Sequence, residues 1–128
     1  MTIQQARVTV VDDDPGMLRA IGRLLTAHGL KPDLLRSGEE LREHARHANL
    51  CCLVLDLDLG DISGVELWTE LSSAGMLPPV IFMTGNDNEA IRRHVLALGC
   101  VTCLAKPFTA DALIRAIETA LQDSTFRQ

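Results

Sequence analysis

The chain has 128 residues, enough for one domain with a real core, because 47% are hydrophobic although only 3% are aromatic and Tyr is absent. A formal net charge of -5 argues against binding a nucleic-acid backbone, and no apolar run approaches the roughly 18 residues of a membrane helix. Residues 1–7 are polar and lack the apolar core of a secretion signal, so the expected compartment is the cytoplasm, with Cys51, Cys52, Cys100 and Cys103 reduced there.

Residues 7–11 are short and β-branched, the pattern of a strand, and run into Asp12-Asp13-Asp14. Asp14 is placed as N-cap and Pro15 as first residue of a helix with Leu18, Ile21, Leu24 and Leu25 at helical spacing and Gly29 as its stop. Residues 31–36 form a weaker second strand around Leu34-Leu35. Ser37-Gly38-Glu39-Glu40 is a capping-box pattern that starts a helix through about residue 46. Residues 50–55 read as a buried third strand that ends abruptly on Asp56. Ser63-Gly64-Val65-Glu66 repeats the capping box ahead of a helix bearing Leu67, Trp68 and Leu71 and ending near Gly75. Residues 79–83 give the fourth strand, stopping at Thr84-Gly85-Asn86. Asn86 with Glu89 is expected to cap the next helix, which carries Ile91, Val95 and Leu98 and ends at Gly99. Residues 101–105 form the fifth strand, followed by Lys106-Pro107. Thr109 caps a last helix striped by Leu113, Ile114, Ile117 and Leu121. Residues 123–128 are polar and expected to fray, so a single domain spans 1–128 with its core at about 7–121 and a tail or linker start at 122–128.

Strict strand–helix alternation calls for a parallel sheet with helices on both faces. Ligands of such sheets bind at the carboxyl ends of the strands. Those ends offer Asp12 and Asp13, Asp56, Thr84 and Lys106. Converging carboxylates repel one another unless a cation neutralises them, and hard oxygen ligands of this kind favour Mg²⁺. Lys106 and the Thr84 hydroxyl would then face a second anionic group. A carboxylate nucleophile, a metal, an ammonium and a hydroxyl are the parts for phosphoryl transfer to aspartate. Cys100-Val101-Thr102-Cys103 has redox or half-zinc spacing, but with no second pair it reads as small buried residues. His28, His44, His47 and His94 are scattered and read as solvated positions.

In Val11-Asp12-Asp13-Asp14-Pro15, the stretch from Asp56 to Gly64, Met83-Thr84-Gly85 and Lys106-Pro107-Phe108, the chain resembles the receiver domain of two-component response regulators. The match runs over roughly 7–121. The resemblance implies a flavodoxin-like, doubly wound sheet of strand order 2-1-3-4-5. It implies Asp56 as phosphoacceptor, Asp12 and Asp13 as the acidic metal pair, and the Asp58 backbone carbonyl as a further Mg²⁺ ligand. Thr84 becomes the switch hydroxyl, Lys106 the phosphoryl-binding ammonium, and Lys106-Pro107 a cis peptide bond. The chain would catalyse only its own phosphorylation and dephosphorylation, with a histidine kinase or phosphotransfer protein as partner. A homodimer or output domain would read the fourth helix, fifth strand and fifth helix.

Three departures from the family stand out. Gly60 replaces a Pro, Asp58 adds a carboxylate beside the site, and Cys103 replaces an aromatic switch residue. By spacing, Asp58 and Asn86 flank the path of a water attacking the phosphoryl group. The segments 79–85 and 106–108 are also similar to receivers joined to a C-terminal LuxR-type DNA-binding domain, which would lie outside this chain. Two alternatives compete. Asp56-Leu57-Asp58 resembles the nucleophile motif of haloacid-dehalogenase phosphatases, but there the acidic pair comes late in the chain, whereas Asp12-Asp13 comes early here. A receiver-like interaction module without phosphorylation is the other alternative, and the complete set of site residues argues against it.

Overall fold

A computed structural model describes residues 5–86 and 88–126, so the expectations for residues 1–4, Asp87 and residues 127–128 lie outside the described residues. Within them, strands and helices alternate as β1 (Arg7–Val11), α1 (Pro15–Ala27), β2 (Lys31–Leu35), α2 (Gly38–His47), β3 (Leu53–Asp56), α3 (Gly64–Ser73), β4 (Val80–Thr84), α4 (Glu89–Ala97), β5 (Thr102–Ala105) and α5 (Ala110–Phe126). The strands pair in parallel in the order β2-β1-β3-β4-β5, the order and class expected.

Side-chain alternation along the strands divides the core into two layers. Val8, Val10, Val54, Ile81 and Met83 pack with Leu18, Ile21, Leu25, Leu113 and Ile117 of α1 and α5. Val11, Leu53, Leu55 and Phe82 pack with Leu41, Leu67, Trp68 and Val95 of α2, α3 and α4. Val8, Val54, Leu55 and Phe82 are fully buried, which is why these strands read as continuous apolar runs. Cys103 is buried in the second layer, as the small-hydrophobe reading expects.

Several boundaries differ from the sequence reading. β3 starts at Leu53, whose N–H reaches the Pro79 carbonyl at 3.0 Å, directly after the Cys52 carbonyl that accepts from Thr9 N–H at 2.9 Å. β4 starts at Val80 and takes in Thr84, since Pro79 has no N–H to contribute and Thr84 pairs with Ala105. The cap of α4 is Asn88, whose side-chain oxygen accepts from Ile91 N–H at 2.9 Å, and not Asn86, whose backbone is held in a turn by Thr84. The last helix continues through residues 123–126, which were expected to fray, because neither Gly nor Pro interrupts it. The other predicted caps form: Asp14 accepts from Gly16 and Met17, Ser37 from Glu40, Ser63 from Glu66 and Thr109 from Ala112.

Edge strand β2 carries its proline where a proline is tolerated. Lys31 N–H donates to the Ala6 carbonyl and the Leu35 carbonyl accepts from Asp12 N–H, so residues 31, 33 and 35 bond toward β1. By alternation, the backbone of Pro32 and Leu34 faces outward, and the missing N–H of Pro32 breaks the free edge.

Two glycines shape the loop after β3. A Cβ on Gly64 would run into the Asp56 carbonyl oxygen and lie 2.9 Å from Leu57 Cα, so the start of α3 rests directly on the strand end. Gly60 has φ +85°, a conformation proline cannot adopt, which accounts for the departure at that position. An antiparallel bridge between Asp58 and Ser63 closes the loop.

Gly64→Ala is therefore expected to cost about 1–3 kcal/mol in chemical denaturation. Gly85→Ala meets nothing within 4 Å at its new Cβ and should change stability by less than about 1 kcal/mol.

Candidate functional site

The register Val11↔Leu55 sets the ends of β1 and β3 side by side, so the residues that follow, Asp12 and Asp56, are neighbours at the carboxyl edge of the sheet. They are the buried carboxylates among the described residues, 0% and 4% exposed. Lys106 reaches both from the end of β5: its Nζ donates to Asp12 Oδ2 at 2.9 Å and to Asp56 Oδ2 at 3.0 Å. The second oxygen of each carboxylate is held by backbone, Asp12 Oδ1 accepting from Asp14 N–H at 2.9 Å and Asp56 Oδ1 from Asp58 N–H at 3.1 Å. Exposed Asp13 completes the group, with one oxygen each from Asp12, Asp13 and Asp56 lying within 4.8 Å of one another.

Burial pushes the Asp56 carboxyl up to about 6; the bonds from Asp58 N–H and Lys106 pull against that, and the charge of Asp12 adds to it. Burial pulls the Lys106 ammonium down, but its bonds to Asp12 and Asp56 more than offset this and leave it above the ordinary lysine range. One ammonium thus bridges two carboxylates of a group of three. The surplus of negative charge on hard oxygen donors fits a divalent cation such as Mg²⁺.

Thr84 is buried at the end of β4, yet its hydroxyl is turned into its own loop. Oγ1 accepts from Asn86 N–H at 3.0 Å and donates to the Asn86 carbonyl at 3.1 Å. The Thr84 carbonyl accepts from Lys106 N–H at 2.8 Å, which ties the ends of β4 and β5. Asp58 and Asn86 are exposed, on the loops after β3 and β4. The Lys106-Pro107 peptide bond is cis. The carboxylates and Lys106 are thus in direct contact, whereas the Thr84 hydroxyl is bonded away from them.

Arg92 is a residue the sequence did not single out. From α4 its Nη1 donates to the Cys103 carbonyl at 3.1 Å and joins that helix to β5. A long side chain meeting a main-chain carbonyl eleven positions on leaves no mark in hydrophobic periodicity.

An open parallel sheet of this order, with a lysine bridging buried aspartates at its carboxyl edge, is the frame of a receiver. The family model for the response regulator receiver domain matches residues 8–118, and the chain belongs to that family. It is 28% identical over 122 residues to the response regulator protein TmoT of Ectopseudomonas mendocina, covering 95% of this chain and 56% of that protein. It is 32% identical over 114 residues to the transcriptional regulatory protein FixJ of Azorhizobium caulinodans, covering 89% of this chain and 54% of that protein. The receiver domain structure of a Clostridium thermocellum response regulator superposes with a TM-score of 0.88 at 26% identity, over 96% of this chain and 99% of that one. The chain spans about half the length of these two curated relatives. No helix among the described residues is long and apolar enough to cross a membrane.

The raised Asp56 pKa has a definite sign. Between the ordinary carboxylate range and about 6, the folded chain binds more protons than the unfolded one. The contribution of this group to stability is full below that window and lost as pH rises through it. In metal-free buffer Asp56→Asn should be more stable than wild type at pH 7, and the difference should shrink as pH falls toward 5; urea midpoints measured across that range check it.

Proposed function

We propose that the chain is a phosphoacceptor receiver in which Asp56 takes a phosphoryl group from a phosphohistidine on a histidine kinase or phosphotransfer protein. The observation that carries this reading is the Asp56 carboxylate at the end of β3, 3.0 Å from Lys106 and inside a cluster of three carboxylates. An Asp56 oxygen attacks phosphorus, the P–O bond forms as the P–N bond breaks, and the departing imidazole nitrogen takes a proton from solvent. Asp12, Asp13, Asp56 and the Asp58 backbone carbonyl would hold Mg²⁺, which when bound offsets the negative charge on the phosphoryl oxygens. Lys106, already poised over Asp56, pairs with one of those oxygens.

Thr84 then exchanges its two bonds to Asn86 for a bond to the phosphoryl group, which loosens the loop ahead of α4. The signal passes to the face made by α4, β5 and α5, where a second copy or an output domain reads it. Cys103 packs and does not swing, since it is 3% exposed and has a single side-chain torsion. Asp58 and Asn86, both exposed, flank the water that ends the phosphorylated state and so set its lifetime. The length of the relatives supports an output module beyond this chain, and the name of the transcriptional regulatory protein FixJ supports a transcriptional one; the LuxR-type DNA-binding reading rests on the resemblance of segments 79–85 and 106–108. This segment itself makes no nucleic-acid contact, and the reading places it in the cytoplasm, where a kinase would reach it.

Incubation with phosphoramidate and Mg²⁺ should add one phosphoryl group to the wild type and none to Asp56→Asn, as read by intact mass. Undiminished labelling of the variant overturns the assignment. Mg²⁺ at roughly ten times its Kd should stabilise the wild type by about 1.4 kcal/mol. Asp13→Ala should lose most of that gain, and absence of any thermal shift in the wild type at millimolar Mg²⁺ counts against the site.

Sedimentation with and without beryllofluoride tests the switch. Cys103→Ala should associate like the wild type, and Thr84→Ala should no longer respond. A Cys103→Ala chain that binds beryllofluoride without associating would make Cys103 part of the switch.

A further inference from the structure

The outer side of α1 forms an open groove with edge strand β2, remote from the carboxylate cluster and about 550 Å³ in volume. Its floor is apolar. Leu34, 38% exposed, lies over Gly22, where a Cβ would sit 2.9 Å from Leu34 Cδ1, and Pro32 and Ala27 extend the surface. Arg19 and Arg23, one helical turn apart, stand along its α1 wall. Both are exposed, and among the described residues neither makes an ion pair, whereas Arg7, Arg42, Arg46, Lys106 and Arg115 all do. Asp33 lies on the other face of β2, with Leu35, and is engaged there by Arg7 in a two-bond pair, so it does not neutralise the two arginines. In a chain of net charge -5 this is a local positive field over an apolar floor.

We propose that this groove docks an acidic amphipathic helix of a partner protein, its apolar stripe against Leu34 and Pro32 and its carboxylates against Arg19 and Arg23. Charge complementarity selects the acidic partner. The edge itself selects a helix over an added strand: the outward-facing positions of β2 are Pro32 and Leu34, and Pro32 has no N–H to pair, so a continuous ladder cannot form there.

The probe is a capped helical peptide of about 18 residues with leucines along one stripe and glutamates on both flanks. It is titrated into the full chain and followed by amide chemical shifts and fluorescence anisotropy. The expected result is shifts confined to residues of α1 and β2, and a Kd weakened about tenfold or more by Arg19→Glu with Arg23→Glu. The neutral pair Arg19→Gln with Arg23→Gln, and a peptide with Gln for Glu, should each weaken binding by a smaller factor. Shifts centred on the other side of α1 around Met17 and Phe108, affinity indifferent to both arginine pairs, or no binding at millimolar peptide would overturn the proposal. So would binding of phosphatidylglycerol vesicles through these arginines without binding of the peptide.

Discussion

Lys106 bonds two buried carboxylates at once, and the carboxyl edge of the sheet depends on that contact. Asp12 and Asp56 would repel each other across the β1–β3 junction without it. Removing one partner of a buried ion pair generally costs about 3–5 kcal/mol, because a charge is left uncompensated. The contact also sets the electrostatic state of the site. Asp56 remains hard to ionise despite the ammonium at 3.0 Å, since burial outweighs the attraction. The native site is thus an excess of negative charge held together by one lysine and the backbone N–H groups of Asp14 and Asp58. A bound cation and, on the proposed reading, an added phosphoryl group would both act on this charge balance.

The topology makes this arrangement inexpensive elsewhere. Asp12 and Lys106 directly follow β1 and β5, and Asp56 and Thr84 end β3 and β4, whose residues are all buried, so these last two are positioned by packing that they do not themselves supply. Val11 and Leu55 pair in register, and their successors inherit the alignment. Met83 and Leu104 pair one row below Thr84 in the same way. Function at the strand ends is therefore insulated from the core, and core changes that keep volume leave the site geometry intact.

Most of this was readable in the sequence for a physical reason: alternation of β-branched runs with capped amphipathic stretches permits few topologies, and Asp12, Asp56, Thr84 and Lys106 each stand at a strand end. What escaped depends on long-range geometry. Asn86 satisfies the capping-box spacing with Glu89, yet tertiary structure gives its backbone to Thr84 and the cap to Asn88. Gly60 and Gly64 look like ordinary loop glycines until a positive φ and a carbonyl close to the missing Cβ explain them. Arg92 was invisible because its partner is a main-chain atom of another element. The orientation of the Thr84 hydroxyl is a rotamer, and no spacing rule reports a rotamer.

The tight seat of Gly64 against the Asp56 carbonyl divides the molecule mechanically. α3 starts directly against the strand end, with no room for a Cβ at Gly64 and with the Gly64 N–H donating to the Leu57 carbonyl at 2.8 Å. α2 is moored to it in turn, through the paired bonds of Arg42 to Glu70 at 2.8 Å each and through Gly38 against Ile62. On the other side of Asp56, the link from β4 to α4 runs through hydrogen bonds of a single hydroxyl and a surface loop. One flank of the central strand is thus closed by direct backbone contact, and the other by the two bonds of the Thr84 hydroxyl to Asn86. A displacement at the carboxylates would have fewer contacts to break toward α4 than toward α3.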